Sequence, residues 1–451
     1  MRLRATTVGE RRPVGGRAWK LMPMAMGLAA ILSGCEKRPD VGAPAWHGAR
    51  TWVTDGATTA RTFRGAPLAL SSKPDVAWRR NALKSVTDDV MEVVANEKAA
   101  FVVVRGYGVH GPEVFGDGDG SYVVALRLSD GEKMWERDLE TCGGSVRSIL
   151  DKGTLLVATW TGLAALDSET GKPLWWVRES WSDYESPTGI AVDEKHIYMS
   201  RYSGHVVAFH KADRTEAWER AWQENIKGFS LQESQIVVVM GDGPKVFALS
   251  VEDGRTLWAA EPPTYFSLLH GRMPAMVTAP PTIDAGRVLV ASCDPRMPGL
   301  LGHMPRTRVV ALALDSGQLV WKADLSPGAK IGIASDGRRV CLTSLLGEIV
   351  CIDGHTGRGL WETKVHHRTW SEEGVRASCL AAIISGQYVL VPTTSGELFC
   401  LSAISGRCFW RVDLGTNTTD LPRLLVAGRH LVVTAGREVC TFRPAEVVEG
   451  R

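Results

Sequence analysis

Nine cysteines, an adjacent histidine pair and one Asp-rich loop are the residues whose types and spacing raise the question of chemistry. His366 and His367 are sequence neighbours, and neighbours on a strand face opposite ways, so the pair is no chelate by itself. The stretch FGDGDGS at 115–121 alternates Asp with Gly but lacks the bidentate Glu that closes an EF-hand. It reads as a turn, with cation binding as the alternative. No Gly-rich phosphate loop, HExxH or GxSxG is present. Cys351, Cys400 and Cys440 occupy a position that is Ala in other copies of a repeat, which suits a thiol acting as a small apolar side chain. Cys341 with Cys351, and Cys400 with Cys408, are also spaced to face each other across hairpins, where an oxidising compartment would join them. No residue emerges as catalytic, cofactor-binding or metal-binding, and the expectation is a protein that is not an enzyme and takes no cofactor.

The elements that would position any site are set by internal repetition. One ungapped segment recurs at 123–135, 163–175, 206–218, 246–258, 309–321, 349–361 and 398–410. Each copy ends in a tryptophan: Trp135, Trp175, Trp218, Trp258, Trp321, Trp361 and Trp410. A small residue lies ten positions before it, and a Gly four before it, except for Arg214 in the third copy. A short β-branched run, a Gly-bearing turn and a returning run make a hairpin. A second apolar stretch and a weaker one precede each hairpin, so each unit reads as four antiparallel strands, A to D, in roughly 40 residues. At the C-terminus, 423–429, 430–436 and 437–447 supply three strands of an eighth unit, with Cys440 in the small position and no tryptophan. The missing strand is found at 74–83, where Trp78 has no hairpin ahead of it. The expected fold is all-β, an eight-bladed propeller over 74–447, its ring closed by the N-terminal strand beside the C-terminal blade.

These copies resemble the tryptophan-docking repeats of the PQQ-like propeller superfamily, whose pattern is roughly Ala-x-Asp-x-x-Thr-Gly-x-x-x-Trp. The second copy matches best, through Ala165, Asp167, Thr170, Gly171 and Trp175. The superfamily includes quinoprotein dehydrogenases, and for these the resemblance implies PQQ over a tryptophan floor, a Ca²⁺ ion and a disulfide between adjacent cysteines. The chain has no Cys-Cys pair, which counts against that reading.

Ahead of the propeller, residues 1–34 combine six basic residues with the apolar run 21–32, too short to span a bilayer and suited to a secretory leader. The run ends in LSGC, which resembles the lipobox of bacterial lipoproteins and makes Cys35 the expected lipidation site. Glu36 follows it, which by the same resemblance favours the outer membrane. Residues 35–73 read as a tether rich in Ala, Gly, Thr and Pro. Setting aside the leader's six basic and one acidic residue leaves 46 of the 52 Lys and Arg and 49 of the 50 Asp and Glu. The remainder has no strongly basic field to attract nucleic acid.

Variable connections cluster between strands B and C and between D and the next A. These share one end of the blades. The B–C link is long in blades 1 and 5, and the D–A links carry Trp181, Tyr184, Tyr265, Phe266, His270, Arg272, His366, Arg368 and Trp370. Aromatics and Arg dominate protein interfaces, so these residues form the candidate binding face, with packing against the extended loops as the alternative. An outer-membrane lipoprotein with such repeats is similar to the BamB family. That resemblance implies a monomeric scaffold, lipid-anchored on the periplasmic side, that docks on the barrel-assembly machinery and supports insertion of β-barrel proteins. A ligand- or polysaccharide-binding propeller at the periplasm or cell surface is the alternative, and a quinoprotein dehydrogenase stands behind both.

Overall fold

Short runs of Val, Ile, Leu and Ala build the inner strands because they are covered on both faces. Ala99–Arg105 and Gly120–Arg127 are buried almost throughout, whereas the outer strand Pro173–Arg178 is half exposed. A computed structural model describes residues 70–443 apart from 86–87, 107–119, 143–144, 179–185, 233, 242–244, 264, 268–270, 274–275, 294–305, 328–329, 345–346, 366–381, 416–421 and 428.

Apart from a two-stranded ribbon, the described strands form eight antiparallel sheets that follow one another along the chain, an eight-bladed β-propeller. Blade 1 comprises Asp89–Ala95, Ala99–Arg105, Gly120–Arg127 and Lys133–Cys142. Blades 2, 3 and 4 lie within 147–178, 187–221 and 226–260, and blades 5, 6 and 7 within 276–327, 330–364 and 383–413. In blade 5 the innermost strand is broken into Met276–Val277 and Thr282–Asp284, both paired with Arg287–Cys293. Pro280 and Pro281 lie in the break, and proline has no N–H for a ladder.

The ring closes as the split repeat requires. Blade 8 comprises Arg423–Ala427, His430–Ala435, Glu438–Arg443 and, from the other end of the described chain, Asp75–Asn81. Trp78 pairs with Thr441, and Arg79 with Cys440. The strand reading of this blade stands, but its small position belongs to Thr441, not to Cys440. In the other blades the tryptophan pairs directly with the small residue, as Ala208 does with Trp218. Thr441 holds that place, while Cys440 packs on the opposite face with Leu398 and Trp410 of blade 7. One residue of slip changes the face, because side chains alternate along a strand.

Eight hydrophobic clusters fill the eight junctions between neighbouring blades. Phe101 and Val103 of blade 1 meet Leu155 and Val157 of blade 2, and so on round to Leu425 and Val432 of blade 8 against Val93 and Val102 of blade 1. No blade owns a core; each sheet is buried by its two neighbours, which is why repeats of this kind need closure.

Candidate functional site

The tryptophans are the joints between blades. The indole N–H of Trp135 donates to the Ser168 carbonyl of the next blade at 3.0 Å, and Trp218 to Val251 at 3.0 Å. Trp258, Trp321 and Trp361 bond Leu314, Gly354 and Ala403 in the same way at 2.8, 3.0 and 3.0 Å. Trp78 donates to Leu128 at 2.7 Å, which joins blade 8 to blade 1. Each acceptor lies three residues before the turn glycine, and the ring lies against that glycine. A Cβ built on Gly254, where φ is +66°, would sit 2.5 Å from the Trp218 ring. Glycine is therefore needed there for both backbone and space. Arg214 takes the same left-handed conformation without being glycine, at φ +67°, and its guanidinium carbon stands 5.5 Å from the Trp175 ring centroid, within cation–π range.

Trp410 has no hairpin turn to dock on, because blade 8 is split there. Its indole donates instead to the Leu70 carbonyl at 2.8 Å, across 340 residues of sequence. Leu70 is wholly buried in the cluster between blades 7 and 8. It lies inside the stretch read as tether, so that stretch reaches the body at least three residues before its assigned end.

The Asp and Thr of the repeat lock the turns. Asp167 accepts from the Thr170 hydroxyl at 2.7 Å and its N–H at 2.8 Å, and Asp353 repeats this with Thr356 at 2.8 and 2.8 Å. The hydroxyl and the amide together hold both carboxyls below the usual aspartate range.

The loop-rich end of the blades carries charged and polar side-chain contacts between strands C and D. Arg308 bonds Asp324 at 2.6 Å in blade 5, His205 meets Glu219 at 2.9 Å in blade 3, and Arg411 lies 3.6 Å from Glu397 in blade 7. In blade 1, Lys84 bridges Glu136 and Asp138 at 3.0 and 2.5 Å and lies over the Tyr122 ring. The Tyr122 hydroxyl donates to Asp88 at 2.7 Å, and burial with that carboxylate raises the phenol.

Of the candidate face residues, Tyr265, Phe266 and Arg272 lie on a small two-stranded ribbon, Tyr265–Ser267 against Gly271–Met273, inserted between blades 4 and 5. Phe266 pairs with Arg272, and Tyr265 with Met273. Trp181, Tyr184, His270, His366, His367, Arg368 and Trp370 lie outside the described residues, as do Cys35 and 115–119 of the Asp-rich loop. Of the two cysteine pairings, Cys341 and Cys351 do face each other. Cys408 pairs instead with Leu401, while Cys400 pairs with Trp410.

Sequence reasoning missed a buried polar seam on the innermost strands. Glu92 of blade 1 is buried and accepts from the backbone and hydroxyl of Ser148 in blade 2. Arg147 continues the seam to the Thr188 carbonyl of blade 3 at 3.3 Å. Burial raises the Glu92 carboxyl, opposed by the charges of Arg147 and Arg423. The signal was available: a glutamate inside the apolar run VMEVV is a charge where burial is expected.

The sequence profile of the family described as "Outer membrane protein assembly factor BamB" matches residues 119–297, 305–373 and 367–448. The protein of that name from Nitrosomonas eutropha is 27% identical over 261 residues, covering 54% of this chain and 58% of its own length. The one from Xanthomonas campestris pv. campestris is 25% identical over 376 residues, covering 70% of this chain and 86% of its own. Among solved structures, BamB from Moraxella catarrhalis superposes with a TM-score of 0.57 at 16% identity, over 82% of this chain and all of that one. A quinohemoprotein alcohol dehydrogenase from Pseudomonas putida also gives 0.57, at 11% identity over 86% of this chain and 79% of that one, a likeness of fold alone. With the profile spanning blades 2 to 7, the two outer strands of blade 1 and the three C-terminal strands of blade 8, the chain belongs to the outer membrane protein assembly factor BamB family.

Proposed function

We propose that this protein is a non-catalytic scaffold that supports assembly of outer-membrane β-barrel proteins. It is held to the periplasmic side of the outer membrane through lipid on Cys35 and meets protein partners at its loop-rich face. The observation that carries this reading is the family match across the propeller body. The ribbon with Tyr265, Phe266 and Arg272 adds support, since aromatics and Arg on a rigid support are the usual anchors of an interface.

The test places a photo-crosslinking residue at Phe266 or Arg272, and at Lys195 in an A–B turn at the other end of blade 3. Crosslinks to an outer-membrane barrel-assembly protein are expected from the first two positions and not from Lys195. Equal capture from all three, or none from the ribbon, counts against docking at this face.

A further inference from the structure

Blade 6 departs from the other blades at one cross-strand pair. Opposite the small residue on strand C, strand B elsewhere carries a larger side chain: Phe101, Leu156, Tyr198, Val237, Leu289 and Leu390 in the other complete blades. In blade 6 both positions are cysteine. Cys341 on Arg339–Ser344 pairs with Cys351 on Glu348–Asp353, and their sulfurs are 3.0 Å apart. Directly opposed residues of an antiparallel pair have Cα atoms roughly 4.5–5.5 Å apart, inside the range a disulfide spans. Both side chains are fully buried with Ile349, Val389 and Leu401 between blades 6 and 7.

We propose that Cys341 and Cys351 are a disulfide site, a covalent staple across strands B and C of blade 6. One thiolate attacks the disulfide of a thiol–disulfide oxidant, giving a mixed disulfide and releasing one thiol. The second cysteine sulfur, losing its proton, then attacks the linked cysteine sulfur. A Cys341–Cys351 bond forms, and the oxidant leaves carrying the two electrons and two protons as a pair of thiols. Burial pushes the Cys341 thiol up and leaves neither sulfur accessible to an oxidant in the finished propeller, so the exchange does not suit the closed blade. The step belongs to the interval when the hairpin has formed and blade 7 has not yet covered it. The pair then remains out of reach of reductants.

Packing alone is a weaker account. A thiol that only fills space explains Cys351, as it does Cys400, because both stand where Ala is usual. It does not explain Cys341, where every other complete blade uses a larger residue and a lone thiol would leave volume unfilled.

The chain made with its own leader is recovered from cells, quenched in acid, denatured with an alkylating agent and no reductant, and mapped by mass spectrometry. Cys341 and Cys351 are expected as one linked peptide pair, lighter by two hydrogens, while Cys400 and Cys440 are alkylated. Alkylation of both Cys341 and Cys351 overturns the proposal. A second measurement uses Cys341→Val with Cys351→Ala, which installs the Val and Ala of blade 4 and so preserves packing. Reductant added to urea should lower the unfolding midpoint of the wild type and leave this variant unmoved. A wild-type midpoint indifferent to reductant also overturns the proposal. Neither result depends on whether the loop-rich face binds a partner.

Discussion

The tryptophan rim and the loop-rich face are built from the same blades under opposite rules. At the rim one geometry is repeated: an indole donates to a carbonyl of the next blade and lies on its turn glycine. At the face the described contacts vary from blade to blade: a lysine bridge in blade 1, a His205–Glu219 contact in blade 3, an inserted ribbon before blade 5. Repetition marks what holds the ring, and irregularity marks what the ring does not need in order to close. Loss at the rim should therefore cost stability, and loss at the face should cost binding.

The largest effect is expected where the rim is closed by a single strand. Removing residues 36–81 takes away Asp75–Asn81, Trp78 and the Leu70 carbonyl that Trp410 uses. Blade 8 is then a three-stranded sheet with an open edge, which templates association. The truncated chain should unfold or run as oligomers in size-exclusion chromatography. Removing 36–65 keeps Leu70 and should leave a monomer. Two equally stable monomers would break the closure argument.

The next contrast sets one rim residue against one face residue. Trp218 is 8% exposed and bonds Val251. Trp218→Ala empties the junction between blades 3 and 4 and should cost about 3–5 kcal/mol. If the ribbon of Tyr265 serves binding and not closure, Tyr265→Ala should change stability by less than about 0.5 kcal/mol. Denaturant midpoints measured side by side decide this. A large loss at Tyr265 would make the ribbon part of the scaffold and erase the distinction.

The same division explains what could be read from the sequence. Strand order, blade number and closure were legible because Trp, Gly and the small residue recur at fixed spacing, and spacing is what a sequence displays. The sequence places Cys440 in the small position, which belongs to Thr441, because Cys440 resembles the cysteines of blades 6 and 7 by type. Only the register, with Trp78 opposite Thr441, shows which of two neighbours faces the ring. Leu70 was hidden for another reason: the carbonyl it contributes is backbone, and backbone has no letter. The face stays the least legible region, since nothing repeats there to compare against.

Glu92 probes the inner seam with a smaller, pH-dependent effect. Its folded pKa is raised above the ordinary 4.5, chiefly by burial. Below the unfolded value the carboxyl is neutral in both states and costs nothing. As pH rises through the folded value, the native state must carry a buried charge, and stability is lost. Relative to Glu92→Gln, the wild type should gain stability as pH falls from neutral towards 4.5 and level off below it. Urea midpoints at stepped pH give the difference curve. A curve that is flat, or that falls in acid, would mean Arg147 and Arg423 outweigh the burial.

The smallest effect tests the turn that supports each tryptophan. Thr170→Val removes the hydroxyl bonded to Asp167 and leaves the Thr170 backbone N–H in place. The Asp167 carboxyl should move up towards 3.8 without reaching it, because the amide still holds it down. A depressed folded pKa contributes stability above the unfolded value, and that contribution fades as pH falls through the folded value. Any gap between wild type and variant should thus be present at neutral pH and vanish in acid. Asp353, held by Thr356 in blade 6, is the internal reference and should titrate unchanged in both proteins. Carboxyl-carbon NMR resolves the two. Movement of both would mean that blades transmit local change around the ring, whereas movement of Asp167 alone would make each rim turn an independent unit, joined to its neighbour only through the tryptophan it receives.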